Sequence, residues 1–185
     1  MISIVSHDEV SVRRAAAYAL GALAEMNFQV FRPVLEESWV ALSRLASSED
    51  GREGENTLVT QNALSAMGKI LHFHGDFVDV NSLLPAWISL LPPPISEEEE
   101  NCEVIVIYTQ LCHFATSTPT PVTNHLPLML ITLINALQDP YLLDEATKTE
   151  LAEKIKNART HSSQLAEALQ SLPLHLLPQL SFEPN

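Results

Sequence analysis

Two stretches of this chain echo each other at a spacing of 47 residues. Val12–Leu23 (VRRAAAYALGAL) returns loosely as Val59–Ile70 (VTQNALSAMGKI). Ala16 matches Ala63, Ala19 matches Ala66, Leu20 matches Met67, Gly21 matches Gly68 and Leu23 matches Ile70. Small residues recur where two helices must approach closely, with large apolar ones three or four positions away. Such a period, carried by helical sequence, belongs to chains built from stacked helical pairs. Each pair buries its apolar flank on the next, and chains of this kind act mainly through extended binding surfaces.

Composition agrees with helices. Five glycines in 185 residues are too few for a sandwich or barrel with many tight turns. Hydrophobic residues make up 46% of the chain, enough for a continuous core. The formal net charge is −13, a balance that repels phosphate backbones and favours basic partners. Cys102 and Cys112 fall in one expected helix, about 15 Å apart, too far for a disulfide between them. No signal-peptide core and no apolar run of membrane-spanning length is present, so a soluble protein in a reducing compartment is expected.

The periodicity predicts an all-α protein, an α-solenoid of HEAT-type antiparallel pairs. Residues 1–28 read as an incomplete first repeat, its second helix only, running from about Asp8, a candidate cap, to Met26. Residues 32–75 form the next repeat, with Pro33 in a first turn and a polar loop, 47–56, expected to be mobile. Residues 79–116 form another. Its first helix carries Leu83, Leu84, Trp87, Ile88 and Leu91 and stops at Pro92-Pro93-Pro94. Its second helix is expected to start at Ser96, with Glu99 at capping-box spacing and Glu97–Glu100 in the first turn. Residues 122–160 give a last repeat, whose second helix (Asp144 to Thr160) is far more polar and holds two favourable pairs, Asp144 with Lys148 and Glu150 with Lys154. Residues 161–185 read as a capping helix (Ser163 to Leu172) and tail. Weaker echoes link His72-Phe73 to His113-Phe114 and Leu84-Pro85 to Leu126-Pro127. With its first repeat read as half present, the chain is expected to be the C-terminal end of a longer superhelix.

Three segments carry a more specific resemblance: Val80–Pro92 (VNSLLPAWISLLP) with the acidic stretch after it, Asn62–Ile70 (NALSAMGKI), and Leu165–Pro173 (LAEALQSLP). In their order along the chain, 62–70, 80–92 and 165–173, they resemble the C-terminal repeats of karyopherin-β (importin-β) nuclear transport receptors, and within that family the large Ran-binding importins for ribosomal proteins and histones. The resemblance implies carriage of basic protein cargo through nuclear pores under Ran control. It also implies contacts with Phe-Gly pore proteins and residence in cytoplasm, nucleus and nuclear pore. No segment here corresponds to the N-terminal repeats that hold the family's main Ran site, so no Ran-binding residue is assigned. The alternative is a HEAT-repeat scaffold or regulatory subunit unrelated to nuclear transport.

The same residues speak against catalysis. His72 and His74 stand two apart, about 200° round a helix, and cannot grip one ion together. There is no His-Glu dipeptide, no Gly-x-Ser-x-Gly and no phosphate-cradling loop; Gly51-x-x-Gly54 lies among acids. No enzyme activity, cofactor, metal, nucleic acid or membrane insertion is expected. Trp39 and Trp87 read as packing residues. The expected protein-binding residues are Glu97, Glu98, Glu99, Glu100 and Glu103, offering negative charge to a Lys/Arg-rich segment.

Overall fold

A computed structural model of the chain describes residues 5–26, 28–97, 101–117 and 124–173. The fold is all-α, and no strand occurs among the described residues. The helices are α1 (Val10–Met26), α2 (Phe28–Phe31), α3 (Leu35–Ala46), α4 (Asn56–His74), α5 (Val80–Ile88), α6 (Cys102–Ser117), α7 (Leu126–Gln138), α8 (Glu145–His161) and α9 (Ser163–Gln170). The chain divides into two compact units, residues 1–107 and 108–185.

The centre of the first unit is α4, where fifteen of nineteen residues are buried. Its low polarity contrast follows from being covered on several sides. α1 lies along one flank and runs parallel to it. Arg13 Nη2 donates to Asn56 Oδ1 at 2.7 Å near the helix starts. Asn62 Nδ2 donates to the Arg14 carbonyl at 3.2 Å. Lys69 Nζ meets Glu25 at 2.9 Å towards the ends. His74 Nε2 lies 2.9 Å from the Ala24 carbonyl, so that nitrogen is the donor, and it caps a group in the last turn of α1 that has no partner within its own helix. Gly21 permits the close approach, since a Cβ there would stand 3.1 Å from Ala66 Cβ and 3.2 Å from Ala66 Cα. Gly68, its echo, is also buried.

Helix α3 runs the other way. Phe31, just before it, meets the His74 ring at 5.1 Å at the end of α4. Ala41, Arg44 and Leu45, near its end, share a pocket with Val59 and Thr60 at the start of α4. Pro33 sits in the 3₁₀ turn Arg32–Val34, where its fixed φ and missing N–H cost nothing. Helix α5 also opposes α4. Gly75 lies beside Val80 at the near end, and Trp87 Nε1 donates to the Leu64 carbonyl at 2.9 Å halfway along. Trp39 and Trp87 are both buried, as their apolar spacing predicts.

Several expected details differ. α1 starts at Val10, two residues after Asp8, whose carbonyl, together with that of His7, accepts from the Arg13 guanidinium. The loop at 47–56 is tied down. Successive turns run Gly51 N to Ser48 O, Glu53 N to Asp50 O and Asn56 N to Glu53 O, and Thr60 Oγ1 donates to the Gly51 carbonyl at 2.6 Å. Gly51 itself is buried, and only Gly54 takes positive φ, +49°. The Asp50 carboxylate accepts from the Ser48 hydroxyl and from Asn56 Nδ2, and these bonds hold its pKa below the ordinary value.

In the second unit Met129, Leu130, Leu133 and Ile134 of α7, Leu151 and Ile155 of α8, and Leu165 and Leu169 of α9 are buried, and α9 packs on both α7 and α8. On α8 only Leu151 and Ile155 are buried, in keeping with its polar sequence. Asp144 is the N-cap of α8, accepting from the Thr147 amide at 2.8 Å and from the Thr147 hydroxyl at 2.8 Å. It is thus occupied, and Lys148 pairs instead with Glu145 at 2.9 Å; the expected Glu150–Lys154 pair forms at 2.6 Å. The Thr147 bonds hold the Asp144 pKa below its ordinary value. A depressed carboxyl stabilises the fold above the unfolded pKa and loses that contribution as pH falls through the folded one. Asp144→Ala is therefore expected to lower the melting temperature at pH 7, with the gap to wild type closing as the pH is taken below the carboxylate range. A gap that persists in acid would assign the loss to something other than the carboxylate cap.

Both cysteines are free thiols on α6, Cys102 exposed and Cys112 buried. Burial pushes the Cys112 thiol up to about 11, so little thiolate exists near neutrality. A thiol-reactive dye at pH 8 should therefore label Cys102 quickly and Cys112 only after denaturation. Two fast equivalents in the native protein would contradict this.

Candidate protein-interaction site

The expected acidic site is arranged differently from the sequence expectation. Helix α6 begins at Cys102, not at Ser96, and Glu97 lies before it, exposed, in a bend. Glu98, Glu99 and Glu100 lie outside the described residues. Glu103 stands in the first turn of α6, half-buried. The supposed capping box gives way to a side-chain clamp. Asn101 Oδ1 accepts from the Ser96 amide at 2.8 Å, and Asn101 Nδ2 donates to the Ser96 carbonyl at 3.1 Å. Once both backbone groups of Ser96 are satisfied by one amide side chain, a helix starting there offers nothing more. The Asn101 carbonyl instead accepts from Val104 N to open α6.

This clamp is fastened to α4. Gln61 Nε2, buried, donates to Asn101 Oδ1 at 2.6 Å and to the Pro94 carbonyl at 2.8 Å. Arg52, from the loop before α4, donates to the Pro92 carbonyl at 3.0 Å and the Leu90 carbonyl at 2.9 Å. The proline run offers acceptors without donors; two of these bonds end on its Pro92 and Pro94 carbonyls, and the other two end beside it, on Leu90 and Asn101. Gln61→Leu should take the Gln61 donor from the buried Pro94 carbonyl and leave Asn101 Oδ1 with the Ser96 amide alone, at a cost of about 1–3 kcal/mol. Hydrogen exchange should report it as faster exchange at Ser96 and Val104; unchanged exchange there would remove Gln61 from the role.

Beside the clamp an open groove of about 940 Å³ runs across the starts of three helices. Ser11, Arg14, Ala15 and Tyr18 of α1 line it, with Glu55, Leu58, Gln61 and Asn62 at the start of α4 and Cys102 and Glu103 at the start of α6. Ser11, Arg14 and Ala15 are the echo partners of Leu58, Gln61 and Asn62 at the 47-residue spacing, so successive helices show corresponding positions to it. Glu55 and Tyr18 are exposed. The groove mixes apolar surface with single charges, a lining suited to an extended polypeptide with hydrogen-bonding and charged groups.

Of the expected residues, Glu103 alone lines this groove among the described ones. The roles of Arg52, Gln61 and Asn101 have no mark in the sequence. A buried Gln on a helix has no short-range signal, because its partners lie 33 and 40 residues away.

His72 and His74 are held apart. His74 points inward to Ala24, while His72 stacks edge-on with Phe73, and burial lowers the His72 pKa. Among the described residues no group of three or more His, Cys, Asp or Glu side chains is placed to hold a metal ion, and no helix is long and apolar enough to cross a membrane. No family model matches the chain.

Proposed function

We propose that this chain is a run of HEAT-type repeats acting as a protein-binding part of a karyopherin-β-type nuclear transport receptor, with the groove beside Glu103 taking Lys/Arg-rich cargo. The observation that supports it best is the parallel seating of α1 on α4 at nearly the spacing of the sequence echo, with α3 and α5 both opposed to α4. Parallel second helices and antiparallel partners are what stacked pairs require. The Leu-Pro-x-Trp segment supports the family, and the −13 charge supports a basic partner. Cargo, Phe-Gly contacts and Ran control belong to this reading, as does residence in cytoplasm and nucleus.

Fluorescence anisotropy with a labelled Lys/Arg-rich peptide tests it. Binding should weaken as salt rises, and should weaken further when Glu97–Glu100 and Glu103 are replaced by Gln while the melting temperature holds. No binding at low salt, or binding indifferent to these changes, rejects the site. Ran in its GTP form, added to the chain within a full receptor, separates transport from the scaffold reading: release of cargo supports the first, and indifference the second.

A further inference from the structure

The echo makes a comparison possible between the two helices that share it. On α4, Val59, Asn62, Ala66 and Ile70 are all buried, and α1 covers this flank through Gly21 and the Arg14 carbonyl. Their partners on α1, 47 residues earlier, are Val12, Ala15, Ala19 and Leu23. These lie on one face of α1 by their spacing, and Met26 continues it. The face is apolar throughout, yet none of its residues is buried: Ala15 is exposed, Val12, Ala19 and Leu23 are partly exposed, and Met26 is 83% exposed. Ala19 and Gly21, two residues apart, point about 200° from each other, so this flank faces away from α4.

We propose that this flank of α1 docks a further helical pair of the same kind, whose second helix runs parallel to α1 and crosses Ala19 with a Gly or Ala, as Gly21 of α1 crosses Ala66 of α4. The inference rests on the stacked-pair reading above and is independent of cargo or transport. A second copy of this chain cannot supply that helix by the same contact, because its own Gly21 side is already filled by its own α4. The occupant must bring a helix whose corresponding side is free, together with an α3-like partner to shelter it.

The period supplies the probe. Duplicating residues 9–55 immediately before residue 9 adds one unit in phase, placing a copy of α1 ahead of α1 and a copy of α3 beside it. In a Cys102→Ser background, Ala19→Cys reports the flank and Val59→Cys reports the corresponding flank of α4. In the natural chain Cys at 19 should label fast and Cys at 59 slowly. In the extended chain labelling of the original position 19 should slow by about tenfold or more, and unfolding should remain one transition at no lower temperature. Unchanged labelling at 19, or a separate low-temperature transition from the added unit, overturns the docking. Protection of position 19 in the natural chain with a dimeric mass would also overturn it, in favour of self-association. Fast labelling at 59 in the natural chain would instead reject the α1–α4 packing and with it the stacked-pair reading.

Discussion

Trp87→Ala should be the most damaging single truncation in the first unit, costing about 3–5 kcal/mol. The side chain is completely buried, and its Nε1 donates to the Leu64 carbonyl at 2.9 Å, so the indole joins α5 to the middle of α4. Removing it opens a cavity beside α4 and takes away a polar tie between the two helices. For a chain of this size the melting temperature should fall on the order of 10 °C. Trp87→Phe keeps most of the volume and loses only the donor, so its loss should be clearly smaller. Circular dichroism melts of the two variants are the measurement, and equal losses would mean that the hydrogen bond, not the packing, fixes α5.

Gly21→Leu should be the second largest, about 1–3 kcal/mol through overpacking. A Cβ placed at position 21 meets Ala66 Cβ at 3.1 Å and the backbone of α4 itself, at Ala66 Cα, at 3.2 Å. A helix backbone cannot swing aside as a flexible side chain does, so α1 must be pushed off α4. Gly21→Ala is the informative control. It gains about 1 kcal/mol of helix propensity and sets that against a contact of 3.1 Å with Ala66 Cβ. Ala66→Gly should recover part of the loss in Gly21→Leu, and a double-mutant cycle measures how much. A melting temperature unchanged in Gly21→Leu would show that the glycine is no contact point.

The two predictions draw on different sources. Gly21 is legible in the sequence, because the echo with Gly68 marks a small residue kept in the middle of an otherwise good helix former. Trp87 is legible as a buried residue from the spacing of Leu84, Trp87 and Ile88, but its hydrogen-bond partner is not. The acidic segment shows the opposite case. A Ser followed three residues later by a Glu satisfies a local capping rule at 96, yet Asn101, itself held by Gln61, satisfies the same backbone from elsewhere and the helix starts at Cys102. The loop at 47–56 fails for a related reason. Its polar, glycine-containing composition signals solvent, while Thr60 and Arg52 fasten it through carbonyls that no composition reveals.

What the sequence determined by itself is the all-helical nature of the chain, most helix positions to within a few residues, and the polar character of α8, because helical periodicity is a local property repeated every few residues. What only the tertiary structure decided is which way α1 and α4 run against each other, which polar groups of α4 are buried, and where α6 begins. Those outcomes depend on hydrogen bonds between residues some 33 to 50 positions apart, and a bond of that kind exists only once packing has brought donor and acceptor together.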